Sequence, residues 1–107
     1  MEKEKITDKV YTIEELKEIL TPIFANAPVY KAILFGSYAR GEADKYSDVD
    51  IVIDSKKELT GFDFYGVAGE VDDALEKDVD VFEFNSIKKG SSMLGIILNE
   101  GVTLYER

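Results

Sequence analysis

Apolar residues recur at helical spacing near the beginning of the chain. One face of a helix spanning residues 13–26 would carry Ile13, Leu16, Leu20, Ile23 and Phe24. This spacing predicts an amphipathic helix that packs against a core. Thr12, followed by Glu15 three residues later, has the pattern of a capping box and predicts where the helix begins. Pro22 lacks an N–H group, so we expect it to kink the helix or to end it early.

Later segments have the shorter apolar runs of β-strands. Residues 30–35 (YKAILF) are rich in strand-forming residues and predict a buried strand that ends at Gly36. Residues 48–54 (DVDIVID) alternate strictly, which predicts a second strand with one apolar face. Residues 78–84 (DVDVFEF) predict a third strand, and residues 102–105 predict a short fourth strand.

Two further helices are predicted between these strands. The first would have Thr60 as its N-cap and an apolar stripe formed by Phe64, Ala68, Val71 and Leu75. The second would be opened by Ser91 or Ser92, with Gly101 in the place of a C-cap glycine. The order of helices and strands is that of an α/β domain.

Length and composition bound the class of protein. A chain of 107 residues, 45% of them hydrophobic, can bury one core, so we expect a single domain over residues 1–107 with a loose tail at 1–11. It contains no cysteine and no histidine. Disulfides, thiolate chemistry, imidazole zinc sites and Ser-His-Asp triads are therefore excluded. No segment is long and apolar enough for a signal peptide or a membrane span, so we expect the cytoplasm and no membrane partner.

The charge balance narrows the range of partners. Thirteen basic and twenty-two acidic residues give a net charge of −9. Nucleic-acid binders usually present a basic face to phosphate, so direct binding of nucleic acid is not expected. A basic protein partner would suit this charge, although acidity alone more often serves solubility.

Candidate chemistry concentrates between the first two predicted strands, in residues 36–50 (GSYARGEADKYSDVD). Gly36 lets the backbone turn sharply, and a helical turn over residues 37–40 would direct N–H groups at a phosphate. Gly36 and Gly41 have the spacing of a P-loop. That motif continues with Lys and then Ser or Thr, whereas Glu42 follows here and would repel phosphate, so a P-loop is excluded.

Asp48 and Asp50 occupy alternate positions of the second predicted strand. Their side chains should point to one face, about 7 Å apart along the chain, where two carboxylates suit Mg²⁺. Asp80 can join them if the second and third strands are neighbours, and Asp78 is a rival for that position. Three carboxylates can hold two metal ions about 3.5–4 Å apart. A water-facing acidic strand is the commoner explanation of each residue alone, but the conjunction with the Gly-Ser turn favours a site.

The strings GSYARG at 36–41 and SDVD at 47–50, with Asp80 as third acid, resemble the polymerase-β-like nucleotidyltransferase superfamily. Within it they look like the minimal nucleotidyltransferases, which are paired with HEPN-domain proteins. The resemblance spans residues 29–105 and implies a small mixed β-sheet with helices packed on it. It also implies roles for particular residues: Gly36 and Ser37 hold the nucleotide triphosphate, Asp48 and Asp50 bind Mg²⁺, and Asp80 helps to activate the attacking hydroxyl.

The resemblance implies a reaction as well. With two Mg²⁺ ions, AMP would pass from ATP to a hydroxyl, and the implied acceptor is a tyrosine of a HEPN-domain toxin presented by that separate, basic or helical protein. Arg40 and Ser47 are further candidates for nucleotide binding, although Arg40 could instead brace the loop. Two other readings stay open: a non-catalytic acidic antitoxin that neutralises its partner by contact, and a small-molecule nucleotidyltransferase that works with a separate helical subunit.

Overall fold

The computed structural model describes residues 8–107, in which four strands form one mixed sheet. The strands are β1 (Lys31–Phe35), β2 (Val49–Asp54), β3 (Val79–Glu83) and β4 (Val102–Glu106), in the order β3-β2-β1-β4. β1 pairs antiparallel with both β2 and β4, whereas β2 and β3 run parallel. The predicted mixed sheet is confirmed, and every strand boundary lies within one residue of its predicted position.

Four helices and one 3₁₀ turn complete the described chain. The helices are α1 (Ile13–Ala25), α2 (Ser37–Arg40), α3 (Phe62–Ala74) and α4 (Ser92–Glu100), and the 3₁₀ turn is Phe84–Ser86. The sequence pattern did not predict the 3₁₀ turn. Because a parallel strand pair needs a long connection, α3 forms the crossover between β2 and β3.

The capping box of α1 is confirmed, but Pro22 does not end the helix. Thr12 Oγ1 accepts a hydrogen bond from the Glu15 N–H at 3.0 Å, and Glu15 Oε1 accepts one from the Thr12 N–H at 2.9 Å. The helix continues past Pro22 to Ala25, and the Asn26 N–H donates to the Pro22 carbonyl at 3.2 Å. The missing Pro22 donor therefore does not interrupt the last turn.

The predicted ends of α3 and α4 need correction. The N-cap of α3 is Gly61, at φ 51°, and not Thr60, which lies one residue too early for its side chain to cap the helix. The N-cap of α4 is Ser91, whose Oγ accepts from the Leu94 N–H at 3.2 Å. Gly101 does follow α4, but at φ −66° it is not left-handed. Position 101 nevertheless has room only for a glycine, because a β-carbon would collide with the Ile97 carbonyl oxygen.

Apolar layers cover both faces of the sheet. The larger core joins α1 and α3 to one face, and its fully buried members include Leu16, Phe24, Leu34, Ile51 and Val71. The smaller core joins α4 to the opposite face through Phe35, Val52 and Ile97. Within the predicted tail, residues 1–7 lie outside the described part of the chain. Tyr11 corrects that prediction, because it is 6% exposed in the larger core and its hydroxyl accepts from the Glu76 N–H at 2.9 Å.

Candidate active site

The parallel pairing of β2 with β3 brings two of the predicted acids together. Asp50 and Asp80 lie directly opposite each other in the register, and neighbouring strands are about 4.8 Å apart. Alternation along the strands places Asp50 on the face of Val52, and Asp80 on the face of Phe82. Val52 and Phe82 both belong to the smaller core. The carboxylates of Asp50 and Asp80 therefore lie on the face of the sheet that α4 covers in part.

Asp48 lies immediately before β2. Because it is two residues from Asp50, its side chain is expected on the same face of the sheet. The Val49 N–H donates to the Asp78 carbonyl at 3.0 Å, which fixes the backbone of the first strand residue against the approach to β3. Asp48, Asp78 and Asp80 are exposed, whereas Asp50 is half-buried. The aspartate cluster formed by Asp48, Asp50 and Asp80 is therefore open to solvent at one end and covered around Asp50.

The carboxylates act on one another electrostatically. Burial, followed by the negative charges of Asp80 and Asp48 and a hydrogen bond with Asp80, raises the pKa of Asp50 to about 6 from its ordinary 3.8. Burial also raises the pKa of Asp48, with contributions from Asp80 and Asp78 that Lys77 opposes. Within residues 8–107, no Lys or Arg side chain forms an ion pair with Asp48, Asp50 or Asp80. Within the described residues, the mutual repulsion is therefore not offset by an ion pair.

The turn after β1 lies against this cluster. Gly36 has φ 77° and precedes α2, and a β-carbon on it would stand 2.6 Å from Asp50 Oδ2. The predicted helical turn over residues 37–40 is confirmed by α2. The first N–H groups of any helix lack acceptors within it, so the turn offers donors to a ligand next to the Asp50 carboxylate. Among the described residues, the Ser37 hydroxyl makes no hydrogen bond.

Arg40 and Ser47 are held in local structure. The Arg40 guanidinium donates to Glu42 Oε1 at 2.9 Å and to Glu100 Oε1 at 3.2 Å, which connects α2 to the end of α4. The sequence left two roles open for Arg40, binding phosphate or bracing the loop. These contacts are those of a bracing role. Ser47 closes a turn with Asp44, whose N–H donates to Ser47 Oγ at 2.9 Å. Nucleotide binding by either residue stays a prediction.

The donor set has the chemistry that Mg²⁺ requires, although the side chains do not form a closed cage. Within residues 8–107, no group of three or more acidic side chains is arranged to hold a metal ion by itself. Mg²⁺ commonly takes only one or two carboxylates and completes its shell with substrate phosphates and water. Asp50, with its raised pKa and its position against the bare Gly36 backbone, fits that mode of binding.

Sequence reasoning missed Lys77, a buried cation beside the cluster. It is 3% exposed, and its Nζ donates to the Lys45 carbonyl at 2.6 Å. A lysine in a run of charged residues carries no sequence signal of burial, since such residues are almost always exposed. Only the folding of the α2–β2 loop over the start of β3 reveals this position.

Within residues 8–107, no helix is both long enough and apolar enough to cross a membrane. The mixed sheet, the acidic pair on adjacent strands and the glycine-led helical turn agree with the nucleotidyltransferase resemblance found in the sequence. The family model described as "Nucleotidyltransferase domain" matches residues 13–104. The chain belongs to this family, and its predicted enzyme class is confirmed.

Individual proteins of known sequence or structure agree with this assignment. The chain is 37% identical over 90 residues to an inferred protein adenylyltransferase of Methanocaldococcus jannaschii, covering 84% of this chain and 95% of the relative. It also resembles a toxin–antitoxin crystal structure with AMP-PNP, at a TM-score of 0.70 and 23% identity, covering 85% of this chain and 73% of the other.

A second solved structure contains a tri-AMPylated HEPN toxin of Shewanella oneidensis in complex with an MNT antitoxin. Its similarity has a TM-score of 0.66 at 20% identity, covering 90% of this chain and 74% of the other. At these identities the two structures show a shared fold. The predicted resemblance is confirmed by the family model and by relatives named as protein adenylyltransferases.

Proposed function

We propose that this nucleotidyltransferase transfers AMP from ATP to a tyrosine hydroxyl of a HEPN-domain toxin and so acts as its antitoxin. The observation that carries the proposal is the pairing of Asp50 with Asp80 directly beside Gly36. In this arrangement the N–H groups of the turn, which would bind phosphate, lie next to the carboxylates. A relative is named for protein adenylyl transfer, and a structural neighbour contains an AMPylated HEPN toxin, which supports this choice of acceptor.

The proposed reaction is a displacement at the α-phosphorus of ATP. The acceptor oxygen forms a bond to that phosphorus, the bond to the β-phosphate bridging oxygen breaks, and pyrophosphate leaves. Asp80 accepts the proton of the attacking hydroxyl, because its carboxylate lies at the exposed edge of the cluster. The turn at Gly36 and Ser37 binds the triphosphate through backbone N–H groups and the free Ser37 hydroxyl.

Asp48 and Asp50 would hold Mg²⁺, with Asp80 available for a second ion. When bound, Mg²⁺ neutralises phosphate charge and orients the displacement. Asp50 favours this role because it is the most enclosed of the three carboxylates and lies against the turn. A divalent cation would also convert Asp50 fully to its charged form at neutral pH, where its raised pKa leaves part of the population protonated.

Intact-mass measurement of a HEPN-domain partner tests the proposal. The partner is incubated with this protein, ATP and Mg²⁺, and the expected product gains one or more AMP units on tyrosine. Asp50→Asn, which preserves side-chain size, should add none. A partner that is neutralised equally by wild type and by Asp50→Asn, without a gain in mass, would instead indicate inhibition by contact. Adenylylation of a small molecule alone would indicate the small-molecule class.

A further inference from the structure

Lys77 connects two parts of the candidate active site. It immediately precedes Asp78 at the approach to β3, and its Nζ donates to the carbonyl of Lys45. Lys45 belongs to the loop of residues 42–47, which joins α2 to β2 and leads directly to Asp48. The hydrogen bond of 2.6 Å therefore connects this loop, just before Asp48, to the segment that leads into β3.

One carbonyl does not account for the burial of this ammonium. Lys77 is 3% exposed, and burying a charge costs free energy unless opposite charge and hydrogen bonds compensate for it. Within the described residues, no carboxylate forms an ion pair with Lys77. Negative charge that is near but not in contact can supply further compensation.

The aspartate cluster supplies that charge. The Asp78 carbonyl, next along the chain from Lys77, accepts the Val49 N–H at 3.0 Å, which brings Lys77 close to Asp48. Carboxylates that repel one another are attracted to an ammonium in this position. At an effective dielectric of about 20 such interactions act beyond contact distance.

We propose that Lys77 is a positioning residue, the built-in counter-charge that fixes the 42–47 loop and holds Asp48 in place before a nucleotide arrives. It acts through Asp48 and the loop backbone and does not itself bind substrate. The electrostatic part of this proposal stands on the fold alone. Its connection to a cation rests on the proposed function.

A double-mutant cycle in EDTA tests the coupling of Lys77 to Asp48. Thermal melts compare wild type, Lys77→Met, Asp48→Asn and the double variant. We expect Lys77→Met to lower Tm by about 5 °C in wild type, and by less than half as much when Asp48 is already neutral. Lys17→Met on α1, across the sheet from the cluster, is the matched control and should change Tm little. Equal losses in both backgrounds would overturn the proposal.

A second measurement adds Mg²⁺ to the same proteins. A cation that binds the cluster should replace part of the missing charge, so the rise in Tm with Mg²⁺ should be larger for Lys77→Met than for wild type. A merely structural lysine would leave this response unchanged. An equal response in both proteins, where wild type does respond, would therefore contradict the counter-charge role.

Two further variants keep the test decisive. Lys77→Arg retains the charge and should remain closer to wild type than Lys77→Met in both measurements. If Lys77→Met does not fold, Lys77→Gln, which keeps an N–H donor for the Lys45 carbonyl, takes its place in the cycle, with the same expected loss of coupling. If wild type shows no response to Mg²⁺ alone, the measurement is repeated with Mg²⁺ and AMP-PNP. No response to both together contradicts the proposed function, while the EDTA cycle still decides the role of Lys77.

Discussion

The Asp50 carboxylate lies so close to the Gly36 backbone that position 36 has no room for a side chain. A β-carbon on Gly36 would stand 2.6 Å from Asp50 Oδ2, inside van der Waals contact. Gly41, at the other end of α2, has the same φ of 77°, but nothing lies within 4 Å of its β-carbon position. The two glycines share a positive φ, but Gly41 has ψ 21°, in the left-handed helical region, whereas Gly36 has ψ −155°, in a region that essentially only glycine adopts.

Alanine is strained at both positions, more strongly at Gly36, and it is crowded only at Gly36. Gly41→Ala should cost about 1 kcal/mol, the strain of a left-handed residue. Gly36→Ala should cost about 2–3 kcal/mol, because alanine rarely adopts the Gly36 backbone conformation and because its methyl group displaces the Asp50 carboxylate. Chemical unfolding measures both, and calorimetry with Mg²⁺ and AMP-PNP should show at least tenfold weaker binding for Gly36→Ala only. Equal losses in both variants would mean that the contact with Asp50 is unimportant.

The raised pKa of Asp50 predicts a pH-dependent stability. Because its pKa is about 6 in the folded protein and 3.8 ordinarily, the folded state holds the proton more tightly than the unfolded state. The stability that this proton contributes is complete below pH 3.8 and is lost as pH rises through 6. A shift of this size corresponds to at most about 3 kcal/mol, and partial exposure of Asp50 reduces it to roughly 1–2 kcal/mol.

Asp50→Asn removes this pH dependence. In EDTA at pH 7 the variant should be more stable than wild type by roughly 1–2 kcal/mol, and near pH 4 the advantage should vanish. Urea unfolding at a series of pH values measures the difference, with Glu18→Gln on the exposed side of α1 as control. A constant difference between pH 4 and pH 7 would show that Asp50 ionises as an ordinary carboxylate.

The register predicts that Asp80, and not Asp78, is the third acid. Asp80 lies opposite Asp50, whereas Asp78 precedes β3 and contributes its backbone carbonyl to the pairing. Asp80→Asn should lower adenylyl transfer by about a hundredfold or more, the usual range for a positioned proton acceptor. Asp78→Asn should stay within about fivefold, because it changes only a neighbouring charge. The reverse order of losses would assign the role to Asp78.

The contacts of Arg40 predict a bracing role. Since Arg40 bonds to Glu42 and Glu100 at exposed positions, where water and salt screen ion pairs, Arg40→Gln and Glu100→Gln should each lower the stability only slightly. Both variants should bind Mg²⁺ and AMP-PNP within about twofold of wild type. Tenfold weaker binding in Arg40→Gln alone would identify Arg40 as a phosphate ligand.

Local patterns in the sequence predicted much of the fold. The capping box of Thr12 and Glu15, the four strands and the helical turn after Gly36 all depend on residues that are close along the chain. Backbone geometry and side-chain periodicity act over a few residues, so a single segment contains the information. Local pattern misplaced the cap of α3 at Thr60, because the left-handed Gly61 allows the helix to begin one residue later.

The sequence by itself determined the chemistry of this protein: which acids are available, their alternation on one strand, and the glycine-led turn before them. Tertiary structure alone decided how these parts meet. Strand pairing selected Asp80 as the partner of Asp50, and the packing of the loop over β3 buried Lys77. Arg40 meets Glu100 sixty residues away. Such contacts arise when distant segments share a core, and since many pairings satisfy the same local pattern, only the packed sheet selects one.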